Sequence, residues 1–211
     1  MNRRARTEPV GRNVETRAIH RVIEEHAAVC GDAVAIAGDR DAITYRYLNQ
    51  WANLVARRLH DAGFRRGGHA TIRMPRSSDL AVLLLAVLKA GGAYTWDNGD
   101  HRTVTITPTR MDSDHTCRSV DVTALLEGGS HTAANLPIVT RGKDIACVLR
   151  DATGQPAVLV PHATVTSLCT GIQTAASARW NGDAGAMDLW SVLIAGGTVV
   201  LDNEPAEVAA A

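Results

Sequence analysis

Few residues in this chain are spaced for chemistry. His101, His115 and Cys117, with Asp112 and Asp114, gather metal-ligand types, but their spacing fits no standard metal template and reads as a solvated loop. Cys30, Cys117, Cys147 and Cys169 are far apart and form no C-x-x-C pair, which reads as four reduced thiols in a cytoplasmic protein. No Ser/His/Asp or Cys/His nucleophile set follows from spacing. Lysine occurs only at Lys89, ending an apolar helix, and at Lys143, preceding a strand. Two local features remain. The stretch Asp151-Ala152-Thr153-Gly154-Gln155-Pro156-Ala157 bridges two apolar runs and reads as a turn. Asp183 stands just before the apolar segment from Ala186 to Ala195, where an aspartate caps a helix well.

Composition narrows the partners. The 211 residues carry zero formal charge, which gives no pull toward nucleic acid or an anionic membrane surface. Hydrophobic residues make up 45% of the chain, enough for one sizeable core, but aromatics only 4%, so Ala, Val, Leu and Ile must build it. The longest apolar run, Leu80 to Leu88, is too short to span a bilayer and reads as a buried helix. The N-terminus lacks the apolar run of a signal peptide.

The elements that must position these residues alternate between two periods. Ile19 to Val29 has helical spacing and stops at Gly31-Asp32. Ala33 to Ala37 and Ile43 to Tyr45 read as a hairpin. Thr44 caps a helix whose apolar stripe is Leu48, Trp51, Ala52, Val55, Ala56 and Leu59, with Gly63 as its left-handed stop. His69 to Met74 is a strand. Ser77 or Ser78 caps the buried helix, which ends at Gly91-Gly92, and Ala93 to Trp96 is the next strand. Further strands are expected at 103–107, 145–150, 157–160 and 198–201, with helices near 122–126, 163–176 and 186–195. The alternation implies an α/β fold, a largely parallel sheet covered by helices on both faces. Residues 1–17 read as a flexible basic tail or linker, 18–203 as a single domain, and 204–211 as a frayed tail.

Four stretches, in order, resemble the amino-acid-adenylating domains of nonribosomal peptide synthetases, members of the AMP-binding superfamily. Ile43-Thr44-Tyr45-Arg46-Tyr47-Leu48-Asn49 looks like the family's LTYxELN opening. Leu88-Lys89-Ala90-Gly91-Gly92-Ala93-Tyr94 repeats its LKAGGAY word. Ala146 to His162 resembles the phosphate-loop segment, with Thr153-Gly154-Gln155-Pro156 in the loop. Gly182 to Trp190 resembles FDASVWELW, and Leu193 to Leu201 resembles LLAGATLVL.

The resemblance implies part of the N-terminal core of an adenylate-forming enzyme, with ATP and magnesium as cofactors. The chain departs from the pattern where that chemistry needs it. Between Arg150 and Val158 the loop is short, its Ser-Gly-Ser portion is gone, Ala157 replaces the Lys-Gly pair, and Asp151 adds a negative charge where phosphates would sit. Asp151, Thr153, Gly154 and Pro156 are therefore read as a vestigial nucleotide loop, and cofactor use as lost. The adenine-binding segment, the ribose-binding aspartate, the hinge and the lid with its lysine would all follow residue 203. By the same resemblance Asp183, Ala184 and Met187 match substrate-pocket positions, Asp183 as the partner of an α-ammonium group, beside its reading as a helix cap.

The expectation is a catalytically inactive homologue serving a peptide-synthetase pathway through protein contacts. A sheet missing half its domain should leave Leu189, Trp190, Leu193, Val199 and Leu201 bare, for a homodimer or for a condensation domain or tailoring enzyme. The alternatives are a residual amino-acid or aryl-acid ligase, an amino-acid-binding module centred on Asp183, and a fragment without function.

Overall fold

Two hydroxyls start the two long helices. Thr44 Oγ1 accepts from the Tyr47 amide at 3.2 Å, and Ser77 Oγ accepts from the Leu80 amide at 3.1 Å, each satisfying one donor of a first turn. Glycines end the same helices: Gly63 and Gly91 follow the C-caps with φ of 98° and 81°, a region costly for any side chain. Gly92 is fixed by packing, since a Cβ there would come within 2.2 Å of the Phe64 ring.

A computed structural model of the chain describes residues 17–38, 42–99, 101–107, 117–127, 134–137, 140–150, 156–171, 176–181 and 185–201. In chain order the elements are α1 (Ile19–Val29), β1 (Val34–Ala37), β2 (Ala42–Thr44), α2 (Tyr45–Asp61), β3 (His69–Arg73), α3 (Ser78–Lys89), β4 (Ala93–Asp97) and β5 (Thr103–Thr107). They continue with β6 (Arg118–Val120), α4 (Val122–Leu126), β7 (Ile145–Arg150), β8 (Pro156–Pro161), α5 (His162–Gly171), β9 (Ser177–Arg179), α6 (Ala186–Ile194) and β10 (Thr198–Val200). The expected tails, 1–16 and 202–211, lie outside the described residues. No helix among the described residues is long and apolar enough to cross a membrane.

The strands form two sheets. The larger runs β6-β5-β3-β4-β7-β8 and the smaller β2-β1-β10-β9. Parallel pairing joins β3-β4-β7 in the larger sheet, with antiparallel strands on both sides, and β1-β10-β9 in the smaller, with antiparallel β2 at one end and β9 as the other edge. The α/β class stands, with mixed sheets around parallel cores.

The described helices stack differently from the expected cover on both faces. α2 and α6 pack on the smaller sheet, α3 and α5 on the larger, and the pairs α2–α3 and α5–α6 close on each other. The helices thus fill the space between two sheets. α1 touches all four, and buries Ile19, Val22, Ile23 and Ala27 among them.

This layering overturns the expected bare surface. Leu189, Trp190, Leu193, Val199 and Leu201 are all buried. β10 is an interior strand, with Val199 paired to Ile36 on one side and Ala178 on the other. The short strand β9, invisible as a pattern in Ser177-Ala178-Arg179, supplies the neighbour that the sequence does not announce. Trp190 closes the core by donating its Nε1 hydrogen to the Tyr94 hydroxyl at 2.7 Å, joining α6 to β4.

The charged groups at the centre are paired across elements, while His20 Nδ1 and His162 Nε2 have no hydrogen-bond partner among the described residues. Lys89, buried at the end of α3, reaches Glu24 of α1 at 2.6 Å, and Glu24 also accepts from Arg21 at 2.7 Å. Burial pulls the Lys89 ammonium down to about 8, against the opposing pull of Glu24. Beside this pair His20 of α1 and His162 of α5 meet edge to face, ring centroids 5.8 Å apart. The Ile19 amide donates to His162 Nδ1 at 3.2 Å, which places the neutral ring's proton on Nε2.

Two outcomes follow for stability. Burial holds His20 well below the ordinary imidazole range, with the neighbouring His162 adding to the effect, and drops His162 to about 4. Unfolded imidazoles protonate near 6.5, so between about 6.5 and 4 the unfolded chain binds more protons. Stability is therefore full above that window and falls on acidification through it, by on the order of 3 kcal/mol for His162. Urea midpoints at pH 7.5, 5.5 and 4.5 measure this, and His162→Gln should flatten the acid limb. Separately, Tyr94→Phe strips the buried Trp190 Nε1 of its acceptor and should cost roughly 1–3 kcal/mol. A cycle with Trp190→Phe should show coupling above about 0.5 kcal/mol; simple additivity would mean the bond contributes nothing specific.

Candidate ligand site at the carboxyl ends of the strands

β3, β4 and β7 run in one direction, so their carboxyl ends share one edge of the larger sheet, the usual place for a ligand in parallel α/β folds. Three charged residues close those strands: Arg73, Asp97 and Arg150. The Asp97 carboxylate lies 3.5 Å from the Arg73 guanidinium and 3.9 Å from that of Arg150. Both contacts are loose and part-exposed, so solvent screens them.

Behind these charges is a cavity of ≈ 440 Å³, lined by Tyr94, Trp96, Asp97, Arg150, Gly185 and Met187 among others. Trp96 forms a fixed wall. Its Nε1 donates to the Met74 carbonyl at 2.9 Å, Arg76 stacks over its ring at 5.3 Å, and Trp180 tilts against it at 5.5 Å. Trp180 Nε1 donates to the Gly185 carbonyl at 2.9 Å, which fixes the entry to α6. The wall groups are poor nucleophiles. Burial raises the Cys147 thiol to about 11 and holds the Tyr94 phenol well above its ordinary value. The cavity can hold a ligand, and neither the thiol nor the phenol of its described wall is activated as a nucleophile.

The structure brings together part of the expected site. Met187, in the first turn of α6, lines the cavity. Asp183 and Ala184 lie outside the described residues. The N-cap position of α6 belongs to Gly185, with φ 65° and no side-chain cap bond. Of the expected nucleotide loop, Asp151, Thr153 and Gly154 lie outside the described residues, while Pro156 opens β8 opposite Arg150. β8 starts one residue earlier than expected, which leaves five residues, 151–155, to join the two antiparallel strands at the edge of the cavity.

Four residues of the site escape sequence reading: Trp96, Asp97, Arg150 and Trp180. Each sits at or just beyond a strand end, and only the sheet order places them together. His162, which matches a family residue, is buried behind the sheet against α1 and touches no cavity. Of the histidine-rich loop, His101 and Cys117 are exposed, and Asp112, Asp114 and His115 lie outside the described residues.

Comparisons with known proteins agree with this fold. Residues 23–152, more than half of the chain, match the AMP-binding enzyme family. Bacitracin synthase 1 of Bacillus licheniformis is 28% identical over 89% of the chain, and a mycosubtilin synthase of Bacillus subtilis is 31% identical over 72%. The chain spans 4% and 6% of those two proteins. The solved N-terminal subdomain of Klebsiella oxytoca NpsA, in complex with 3-hydroxyanthranilyl-AMSN, superposes with a TM-score of 0.72 at 20% identity, covering 88% of this chain and 53% of that one. The chain therefore belongs to the AMP-binding enzyme family, and its two-sheet fold is that of part of the N-terminal subdomain of a nonribosomal peptide synthetase adenylation domain.

Proposed function

We propose that this chain does not adenylate an acid and instead serves a peptide-synthetase assembly line as a non-catalytic adenylation-type component, acting through protein contacts. The observation that carries this reading is the poverty of the β7–β8 connection. Five residues, Asp-Ala-Thr-Gly-Gln, join the strands, with one glycine, one carboxylate and no cation. Holding a triphosphate needs several converging backbone N–H groups and positive charge against the leaving pyrophosphate.

The surrounding cations do not make up the deficit. Arg150 is turned to Asp97. Lys89 is buried on Glu24. Lys143 stands before the start of β7, on the order of 20 Å from the connection by the rise of an extended strand. Asp97 adds negative charge at the cavity, and Asp151 adds one to the connection's own sequence. Among the described residues the donor set does not fit ATP with magnesium.

For a contact role, the apolar surface lies on the same hairpin. Leu149, Val158 and Leu159 are each about half exposed, and β8 is the terminal strand of its sheet. Its inner residues, Ala-Val-Leu-Val, carry no charge to deter pairing. A condensation domain, a tailoring enzyme or a second copy of the chain is the partner this reading calls for.

ATP–pyrophosphate exchange with a panel of amino and aryl acids should give no signal above the enzyme-free background. Robust ATP-dependent exchange with any acid would overturn the non-catalytic reading. Light scattering after size exclusion should show a dimer, or a stable complex when a condensation domain of the pathway is added, and Val158→Lys should abolish either. A clean monomer that takes up no such partner would remove the contact role.

A further inference from the structure

A second cavity, of ≈ 560 Å³, opens at the amino ends of β3, β4 and β7, the opposite edge of the sheet from the candidate site. One wall is bare backbone. Gly67-Gly68 and Gly91-Gly92 lie side by side, tied by the Gly67 amide to the Gly91 carbonyl at 2.8 Å and the Ala93 amide to the Gly68 carbonyl at 3.0 Å. The facing wall is aliphatic: Ile145, Val148 and Leu159, the last two being cross-strand partners. Leu159 is 56% exposed, so this wall is open to an occupant. A slot between side-chain-free backbone and branched aliphatic side chains suits a flat apolar body.

The charges at the mouth select the sign of the occupant. Arg66 donates to Asp144 Oδ2 at 3.1 Å, and the Arg141 amide donates to the same oxygen at 2.9 Å. Both hydrogen bonds hold the Asp144 carboxyl below its usual range despite the opposing effect of burial. That carboxylate is thus already engaged. Lys143 lines the cavity, is exposed, and has no ion-pair partner among the described residues. At the polar end His69 Nε2 meets Thr95 Oγ1 at 2.9 Å, and burial followed by the nearby Arg150 keeps the imidazole below its ordinary range, hence neutral. Arg66 and Lys143 against Asp144 leave one net positive charge on an otherwise uncharged slot.

We propose that this cavity is a binding site for a small monocarboxylate with a planar apolar body, its ring between the glycine wall and Val148–Leu159 and its carboxylate on Lys143. An α-ammonium group would meet Lys143 and Arg66, so free amino acids are disfavoured. The site needs neither the β7–β8 connection nor any nucleotide, and it stands whether or not the non-catalytic reading does.

The test uses the full chain, ¹⁵N-labelled, titrated with 4-fluorobenzoate and followed by both ¹⁹F and amide spectra. Saturable binding is expected with a Kd of about 1 mM or tighter, and the neutral isostere 4-fluorobenzamide should bind at least about tenfold more weakly. Amide shifts should gather at Gly68, Gly92, Ala93 and Ile145, leaving Gly185 and Met187 in place. Lys143→Glu, a surface change that spares the fold, should weaken binding at least about tenfold. Absence of saturation by about 5 mM, equal binding of the amide, an unaffected Lys143→Glu variant, or shifts centred on Gly185–Met187 would each overturn the proposal.

Discussion

The structure depends on a buried ion pair at the middle of its helical layer. α1 has a helix on every side, and its buried carboxylate is answered from them, although His20 Nδ1 on the same helix has no hydrogen-bond partner among the described residues. Glu24 is answered by Lys89 from the end of α3 and by Arg21 one turn back on its own helix. Such a pair adds little to stability compared with an apolar replacement, because desolvating two charges costs nearly what their attraction returns. Its force is in exclusion. Neither charge can be buried alone, so α1 and α3 are admitted only in the register that joins Nζ to Oε1. Asn135, which accepts from Asn53 at 2.9 Å and lies 3.5 Å from Lys89 Nζ, ties the segment after α4 to the same point.

That arrangement has a chemical side effect. One of only two lysines in the chain is consumed by architecture, and the other stands at the wrong end of β7 for the carboxyl edge of the sheet. The positive charge that remains at the carboxyl edge is arginine: Arg73 and Arg150 on Asp97, and Arg76 over the Trp96 ring. The two edges of one sheet therefore differ in character. The carboxyl edge has a closed set of charges around Asp97 and a connection poor in donors. The amino edge has glycine corners, an open aliphatic wall and a lysine without a counter-charge.

Much of the fold is legible in the sequence because its signals are local. The Ile19 repeat, the Thr44 and Ser77 caps and the stops at Gly63 and Gly91 each depend on residues within one or two turns, and α1, α2 and α3 stand where those signals put them. The illegible parts depend on distance along the chain. β10 pairs with β1 across more than 160 residues, and nothing in Thr198-Val199-Val200 distinguishes an interior strand from an edge. β6 and β9 are three residues long, too short to show a period. The candidate site is half visible: Met187 comes from a sequence word, whereas Trp96, Asp97, Arg150 and Trp180 come together only through sheet order. Asp183, read from the sequence as a cap or a pocket residue, lies outside the described residues, and Gly185 stands at the N-cap of α6.

Apolar area left exposed among the described residues does not fall on the last strand, where Val199 and Leu201 are buried. Helices between two sheets protect inner faces and inner strands alike, so whatever remains uncovered must appear at an outer strand. Here that strand is β8. Val158 and Leu159 point to opposite faces of it, and both remain about half exposed, so the strand is underpacked on two sides at once. β8 is also the strand that leaves the cation-free connection after Arg150. A connection with one glycine and no cation and a part-exposed apolar edge are thus properties of a single hairpin, and an apolar edge is what a polypeptide neighbour can use.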